Sequence, residues 1–386
     1  MMTYLLAILI VFANITHGLS AENLPIVDQN YLYSAELVYD QNQILLKKAK
    51  EPEVIKVVTY NLGLLSPFGR LFELVPFYPE RSKALKSVLT SFITRENPSI
   101  ISLQELWYRR DMRTVQKIAN DLGYHLATTK KRVIHHSGTQ VLIKKDLVKG
   151  NVDCEFLRFR KEFGMDPRVF FEKASFTWRG IHYCDIRTKK GNRIHLADAH
   201  FTPLLGRGTN MRQMQLKMTD DMLFDRAEAG DYAIIGADFN LSPYFVNAPH
   251  EFNNEEWLDN AALFSDFIQD SGMIDTYIAS EKLDELYTPL RHYGYTQNNQ
   301  VNLVAHMGAI TNVEPDQRID FIFIGKKQRL DFGQKGFSVS NTKIVLTEKV
   351  VHIERKHCKK RGVKCPKSFD VELSDHYGVM STINLH

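Results

Sequence analysis

Polar side chains able to bind a metal ion or a phosphate group stand where several apolar runs of the sequence end. Asn61 closes VVTYN, Glu105 closes SLQE and His200 closes LADAH, while Asp238 and Asn240 stand together in IIGADFN. Carboxylate and amide oxygens are ligands that Mg²⁺ prefers, whereas softer metals favour cysteine, which is absent from this set. These residue types predict a site for a hard divalent cation and a phosphate group.

The spacing of Asp238 and Asn240 supports the same chemistry. Side chains two residues apart in an extended segment point to the same side. Both oxygen-bearing groups could then hold a phosphate, a water or a cation, while Phe239 packs into the core. Glu105 adds a carboxylate of the kind that Mg²⁺ uses in small number while it retains waters.

A histidine follows a carboxylate near the end of the chain, in LSDHYGVM. Asp375 and His376 are either a catalytic couple or the polar start of a last strand. The strand alternative is supported by the alternation that follows, in which Val379, Ser381 and Ile383 would share one face. Histidine is also the side chain whose unperturbed pKa lies nearest neutrality, so His376 is a candidate general base.

Strands and helices must position these residues. Apolar and β-branched runs predict strands at 54–61, 99–105, 138–145, 193–201, 231–240, 318–325 and 336–346, followed by a terminal strand. Apolar stripes at helical spacing predict helices at 80–96, 110–122 and 211–227. Because early strand and helix alternation gives way to successive strands, we expect an α/β fold with a pair of mixed sheets flanked by helices.

The composition is that of a globular protein of enzyme size. The chain has 386 residues, of which 44% are hydrophobic and 24% are charged, and this balance excludes disordered and fibrous classes. The net charge of +4 gives only a weak preference for anionic partners such as phosphate esters, lipid headgroups or nucleic acid.

Residues 1–21 have the layout of a secretory signal peptide. An apolar run ending at Ile15 is followed by small residues up to Ala21. The alternative is a membrane anchor, but the run is shorter than the ~20 residues that a spanning helix needs. We expect a secreted or periplasmic mature protein with a polar lead-in at 22–53 and one domain at 54–386.

An oxidising compartment would permit disulfides among the four cysteines. Cys358 and Cys365 bracket KKRGVK, a short loop that a disulfide could close, and Cys154 and Cys184 would then form a second pair. A zinc site is the alternative, but no CxxC or HxxxH pattern accompanies these cysteines.

Six ordered motifs together resemble one protein family. TYN, SLQELW, AHF, GADFN, QRIDFIFI and LSDH follow one another between residues 54 and 383. They resemble the endonuclease/exonuclease/phosphatase superfamily, whose fold is similar to that of deoxyribonuclease I. The resemblance implies a four-layer α/β/β/α sandwich of two mixed sheets flanked by helices, and it implies a metal-dependent phosphoric diester hydrolase whose catalytic domain is 54–386.

The resemblance also implies roles for the motif residues. Glu105 would be the principal metal ligand, with Asn61 close by and Asp375 assisting the metal. The metal would be Mg²⁺, with Mn²⁺ or another divalent cation as the alternative. His376 would be the general base for the attacking water, and Asp320 of RIDF would orient it.

Three further motif residues would act on the phosphate. Asp238 and Asn240 would position the water and the phosphate, and His200 would contact the scissile phosphate or help the leaving group depart. Hydrolysis of an anionic diester needs a cation on a non-bridging oxygen, a base for water and neutralisation of the leaving oxygen. The motif residues agree with these requirements.

Within the superfamily, the sequence is most similar to the neutral sphingomyelinase branch. SLQELW places Trp107 shortly after Glu105, and AHFTPLLGRGTNMRQMQ places Arg212 and Gln215 after His200. For Arg212 and Gln215 the alternative is an ordinary helix surface. The similarity implies hydrolysis of sphingomyelin to ceramide and phosphocholine at a phospholipid membrane surface, and we expect a monomer.

The sequence leaves other functions open. A secreted metal-dependent nuclease would act on nucleic acid, and another phospholipase C-like phosphodiesterase or a phosphatase would act on a different ester. An inactive binding protein is the alternative from another class. It predicts the loss of a motif residue, and the sequence retains Glu105, Asp238, Asn240, Asp320 and His376.

A loop between the first strand and the first helix is rich in aromatic residues and proline. SPFGRLFELVPFYPERS at 66–82 holds Phe68, Leu71, Phe72, Phe77 and Tyr78. Aromatic side chains are favoured at a membrane interface, so this loop is a candidate bilayer contact. The alternative is packing on the protein's own core.

Overall fold

The structure is a computed structural model. It describes residues 51–64, 75–128, 137–159, 179–202, 209–241, 245–246, 254–280, 304, 316–328, 332–333, 336–354 and 367–386. Residues Glu51–His386 form one compact unit. The expected signal peptide at 1–21 and the lead-in up to residue 50 lie outside the described residues.

Seventeen β-strands lie in the described part of the chain. In chain order the strands are β1 (Glu53–Leu64), β2 (Ile100–Leu106), β3 (Tyr124–Thr128), β4 (Gln140–Lys144), β5 (Asp153–Arg158), β6 (Gly180–Arg187), β7 (Arg193–His200), β8 (Tyr232–Asp238), β9 (Phe245–Val246), β10 (Ile274–Asp275), β11 (Asp316–Gln317), β12 (Asp320–Lys327), β13 (Phe332–Gly333), β14 (Phe337–Val345), β15 (Val351–Glu354), β16 (Ser368–Val371) and β17 (Gly378–Leu385).

The strands form two large sheets and two small ribbons. The first sheet runs in the order β14-β17-β1-β2-β4-β3, and the second runs β10-β12-β8-β7-β6-β5 with β13 paired to β12. The ribbons are β9 with β11 and β15 with β16. The β1–β2 and β7–β8 pairs are parallel, and each is flanked by antiparallel neighbours, so both sheets are mixed as expected.

Helices cover the outer face of each large sheet. They are α1 (Tyr78–Glu96), α2 (Arg109–Asp121), α3 (Thr209–Arg226), α4 (Asn254–Ser271) and α5 (Thr276–Ser280). Leu85 and Leu89 of α1 pack with Val58 of the first sheet, while Leu223 of α3 packs with Ile235 of the second. A third apolar core lies between the two sheets, and these layers confirm the predicted four-layer α/β/β/α sandwich.

The final strand shows why alternation predicted it. Val379 and Ile383 belong to the core between the sheets, whereas Met380 belongs to the core under α1 and α2. Successive side chains of a strand point to opposite faces, so one strand serves two apolar layers. A fully buried side chain of this size stabilises the fold by about 1.5–3 kcal/mol.

Strand directions gather the polar ends at one edge of the sandwich. Because β1 and β2 are parallel, and β7 and β8 are parallel, the carboxyl ends of each pair lie side by side. β12 is antiparallel to β8, so its first residue, Asp320, pairs with the last residue of β8, Asp238. β17 is antiparallel to β1, so its start lies beside the end of β1.

A disulfide joins β5 and β6 in the second sheet. Cys154 and Cys184 are directly opposite in the strand register, and their sulfurs are 2.05 Å apart. This confirms the expected pairing of Cys154 with Cys184. The apolar pattern of the sequence does not predict the two strands that the disulfide joins. Cys358 and Cys365 lie outside the described residues.

The aromatic loop before α1 is only partly described. Phe77 and Tyr78 are buried, with Phe77 packed edge-on against Phe369 and the Tyr78 hydroxyl donating to Asp111 at 2.8 Å. For these two residues the bilayer-contact hypothesis is wrong, because core packing already covers their rings. Phe68, Leu71 and Phe72 lie outside the described residues. Among the helices that the structure describes, none is both long and apolar enough to span a bilayer.

Candidate active site

Four of the predicted site residues meet where the two sheets adjoin. The Asn61 amide nitrogen donates to Asp238 Oδ2 at 2.8 Å and lies 3.4 Å from Glu105 Oε1. His200 Nε2 lies 3.4 Å from Asp238 Oδ2 and 3.7 Å from Glu105 Oε1. Asn61 and Glu105 come from the first sheet and His200 and Asp238 from the second, so the group forms only when the sheets pack together.

Two site residues have a left-handed backbone. The φ angle is 58° at Glu105 and 48° at Asn240. Non-glycine residues in this region cost roughly 1–3 kcal/mol each and persist where the surrounding structure holds them. At Asn240 the backbone N–H donates to Asp238 Oδ1 at 2.8 Å, and the side-chain nitrogen donates to the Phe201 carbonyl at 3.1 Å. These bonds fix both Asn240 and the carboxylate of Asp238.

His376 and Asp320 form a hydrogen-bonded pair across the two sheets. His376 Nδ1 lies 2.8 Å from Asp320 Oδ2, and both side chains are buried. Burial alone would lower the pKa of His376, but the charge and hydrogen bond of Asp320 outweigh it and raise the pKa well above its usual value. The pair has the geometry of a base whose ring is oriented by a carboxylate.

Asp375 stands beside this pair over a glycine. Gly63 has a φ of 55°, and a Cβ at this position would overlap Asp375 Oδ1. The Ser374 hydroxyl donates to the Asn61 carbonyl at 2.7 Å and accepts from the His376 backbone N–H at 3.1 Å. The Asp375 carboxylate can therefore lie close to the end of β1 only because residue 63 has no side chain.

The carboxylates carry more negative charge than the nearby groups offset. Burial, followed by the charge of Asp375, raises the pKa of Glu105. Burial, followed by the charge of Asp320, raises the pKa of Asp238 to about 7. Glu105 Oε2 is buried and accepts no hydrogen bond. An orphaned carboxylate oxygen among like charges is the environment that a hard cation would stabilise, so these residues fit a divalent metal.

Asp238, Asp320 and His376 also present ligand atoms within 4.8 Å of one another. The short bond between His376 and Asp320 already uses Nδ1, and Asn61 and Asn240 already donate to Asp238. Glu105 Oε2 has no such engagement. The Glu105 carboxylate and this cluster are therefore two places where the described residues could hold a divalent cation.

His200 differs from His376 in its charge. Burial, followed by the positive charges of Arg179 and His376, lowers the pKa of His200 well below its usual value. The imidazole is therefore neutral at pH 7. The Trp107 ring centre lies 6.4 Å from that of His200, and Gly138, with a φ of 74°, leaves room for the indole.

Sequence reasoning missed an arginine in the site. Arg179 immediately precedes β6, and its Nη1 donates to the carbonyls of His200, at 3.1 Å, and Phe201. Its charge acts on Glu105 and Asp238, and burial lowers its own pKa to about 10. TWRGIHY carries no motif that would have identified this residue, since only the β6–β7 pairing brings it to the site.

A buried polar pair beneath the site was also missed. Gln104 Nε2 donates to Asp198 Oδ1 at 2.7 Å, and both side chains are fully buried. Burial raises the pKa of Asp198 well above its usual value. A carboxylate inside the apolar strand LADAH was the signal available in the sequence, since its neighbours on either side are buried.

Arg212 and Gln215 lie inside the fold and not on a helix surface. Arg212 donates to the Thr202 carbonyl at 3.1 Å, and Gln215 accepts from the Thr202 backbone N–H at 3.1 Å. The surface alternative is therefore wrong. The pair anchors the chain just after His200 to α3.

No protein-family model and no curated protein matches this sequence. Solved structures match it by shape. D. rerio TDP2 complexed with a single strand DNA product has a TM-score of 0.54 at 15% identity, covering 86% of this chain and 99% of that one. An endonuclease/exonuclease/phosphatase family protein from Bacteroides thetaiotaomicron has a TM-score of 0.55 at 14% identity, covering 87% and 100%.

Beta toxin 275-280 from Staphylococcus aureus is similar to the same extent. Its TM-score is 0.56 at 16% identity, covering 85% of this chain and 99% of the toxin chain. At such low identity a likeness establishes the fold and not the reaction. The chain shares the α/β sandwich fold of these structures, and this confirms the fold that its motifs implied.

Proposed function

We propose that the protein is a secreted, Mg²⁺-dependent phosphodiesterase that hydrolyses sphingomyelin to ceramide and phosphocholine. One observation carries the hydrolytic part of the proposal. The His376–Asp320 base pair stands in the same buried site as Glu105, whose carboxylate oxygen lacks a partner. Phosphodiester hydrolysis needs a base for the attacking water, which the first group would supply, and a cation on the phosphate, which the second group would hold.

Glu105 would hold the cation, with Asp375 and Asn61 assisting it. A divalent cation supplies Lewis acidity to a non-bridging phosphate oxygen. Asn61 already donates to both Glu105 and Asp238, so it sets the spacing of the two carboxylates before any ligand arrives. The left-handed backbone at Glu105 fixes the direction of its side chain.

His376 would take the proton of the attacking water at Nε2, because Nδ1 is bound to Asp320. The water oxygen forms a bond to phosphorus, the bond from phosphorus to the ceramide oxygen breaks, and the alkoxide takes a proton from solvent. Asp320 stabilises the imidazolium that forms. The proton on His376 then passes to solvent, which completes the cycle.

His200 would donate a hydrogen bond to the scissile phosphate. The motif resemblance implied either contact with the phosphate or help to the leaving group. The lowered pKa of His200 favours the first role, because a general acid at pH 7 must carry the proton that it donates. Asp238 and Asn240 would hold the remaining phosphate contacts, with the Asn240 amide oxygen available because its nitrogen is bound to Phe201.

The choice of sphingomyelin rests on sequence similarity to the neutral sphingomyelinase branch and on the signal peptide layout. The buried positions of Arg212 and Gln215 support it, since both hold the segment after His200. A secreted nuclease is the second candidate, favoured by the fold shared with the D. rerio TDP2 structure that contains a single strand DNA product. The small net charge of +4 favours the lipid.

A substrate panel tests the proposal. The purified protein is incubated with sphingomyelin, phosphatidylcholine, supercoiled DNA and an inositol polyphosphate, each with Mg²⁺, Mn²⁺ or EDTA. We expect metal-dependent release of phosphocholine from sphingomyelin. Cleavage of DNA without lipid turnover would replace the lipid assignment with the nuclease, and turnover that survives EDTA would remove the metal from the proposal.

A further inference from the structure

Arg179 is the charged residue of the site to which neither the motifs nor the proposed mechanism gives a role. It is half-buried, and its Nη1 donates to the carbonyls that end β7, those of His200 and Phe201. This anchorage brings the guanidinium close enough to His200 for its charge to lower the pKa of the imidazole. These two hydrogen bonds fix the position of the Arg179 guanidinium in the site.

The charge of Arg179 acts on the acids of the site at a distance. It interacts electrostatically with Glu105 and Asp238, and its charge lowers the pKa of His200. No carboxylate of the described residues forms an ion pair with it. Because the guanidinium forms no direct ion pair within the described residues, it keeps donor capacity for a ligand.

One donor of the guanidinium also lacks an acceptor among the residues that the structure describes. Arg179 Nε is buried and forms no hydrogen bond. An unsatisfied buried donor costs about 1–3 kcal/mol, and more when it is charged, and a bound anion or water is one way in which this cost is removed. Carbonyl groups already occupy Nη1, and the remaining part of the fork is suited to a tetrahedral anion.

We propose that Arg179 is a substrate-binding residue that donates to a non-bridging oxygen of the phosphate, on the side of the site occupied by His200. The identity of the substrate rests on the proposed phosphodiesterase function, whereas binding of a phosphate anion by Arg179 does not depend on it. As phosphorus becomes five-coordinate, negative charge grows on the equatorial oxygens, and a fixed guanidinium stabilises that charge. Because His200 is neutral, Arg179 supplies the permanent positive charge on this side.

The test uses Arg179→Gln and Arg179→Lys, with Arg226→Gln as the matched control. Arg226 also projects from the second-sheet half of the molecule, but it pairs with the exposed carboxylate of Glu155. Inorganic phosphate is titrated into each protein by calorimetry in the presence of Mg²⁺, and hydrolysis of sphingomyelin and of bis(p-nitrophenyl) phosphate is measured separately. Thermal unfolding confirms that each variant is folded.

We expect Arg179→Gln to weaken phosphate binding by roughly 10- to 100-fold, and Arg179→Lys to restore only part of it, because an ammonium lacks the planar fork. The maximal rate should fall by roughly 10²–10³-fold in Arg179→Gln, while Arg226→Gln stays at the wild-type values. Equal phosphate affinity in wild type and Arg179→Gln would overturn the inference, as would a wild-type protein that binds no phosphate.

The phosphate arm separates this inference from the proposed function. If the wild type binds phosphate through Arg179 but cleaves neither ester, the substrate proposal fails and the anion contact stands. If both esters are cleaved and Arg179→Gln behaves like the Arg226→Gln control in both assays, the arginine has only a structural role and the function stands.

Discussion

His376 and His200 are buried to a similar extent, 6% and 3% exposed, yet their pKa values move in opposite directions. Burial lowers the pKa of both rings. At His376 the Asp320 carboxylate, 2.8 Å away, reverses that effect, whereas at His200 the charge of Arg179 adds to it. The nearest charged partner, and not the degree of burial, decides which histidine binds a proton more tightly and which remains neutral.

The largest expected effect belongs to His376. His376→Ala should lower the maximal rate toward the upper end of the roughly 10²–10⁴-fold range that general base catalysis supplies. Turnover of the diester and thermal unfolding are measured together, with His352→Ala as the control because His352 is exposed on the β15–β16 ribbon. Substantial activity in folded His376→Ala would remove this residue from the base role.

Asp320→Asn tests the cause of the difference between the histidines. Without the carboxylate the pKa of His376 falls, so the ring becomes an available base at lower pH and the acidic limb of kcat/KM shifts to lower pH. The maximal rate should fall by roughly 10²-fold because the ring loses its orientation. The pH profile is compared with that of Asp370→Asn, in which the exposed His352 loses its partner. An unmoved limb would show that Asp320 does not set the charge of His376.

His200→Gln should have a smaller and different effect. A neutral donor contributes a hydrogen bond and no proton transfer, so we expect a loss of roughly 10-fold in kcat/KM. The acidic limb of the pH profile should stay where it is in the wild type. If the substitution removes a limb of the profile, His200 titrates during turnover and the comparison between the two rings is broken.

Glu105→Gln should change the unfolding temperature by only a few degrees, and it should remove the rise in that temperature which Mg²⁺ causes in the wild type. Since burial and Asp375 raise the pKa of Glu105, its protonated form stabilises the folded protein below the unfolded pKa, and that stability is lost as pH rises through the folded pKa. The neutral amide should therefore unfold a few degrees higher than wild type at pH 7 in EDTA.

The same experiment includes Mg²⁺ and a control. Mg²⁺ should raise the unfolding temperature of the wild type and leave that of Glu105→Gln unchanged, because a cation stabilises only the form that binds it. Glu348→Gln, at an exposed glutamate that pairs with Arg95, should respond like the wild type. An equal Mg²⁺ response in Glu105→Gln would place the metal elsewhere.

Much of the fold could be predicted from local pattern. The helix at 80–96 was found as Tyr78–Glu96, and the strand at 193–201 as Arg193–His200. Strands β5 and β6 are not predicted, because β5 is a partly exposed edge strand and β6, although buried, has the polar residues His182 and Asp185 among its apolar ones. A helix or strand can be predicted from local sequence only when its apolar residues recur with the period of that structure.

The sequence by itself determined the residue types of the site and the edge at which they gather. Asn61, Glu105 and Asp238 stand at strand ends, and parallel pairing places such ends together. Only the tertiary structure decided their charges, because a pKa depends on distances between groups far apart in sequence. Asp320 meets His376 across the two sheets, and Arg179 reaches His200 through the pairing of β6 with β7. No spacing along the chain encodes those distances, since they arise from the packing of one sheet against the other.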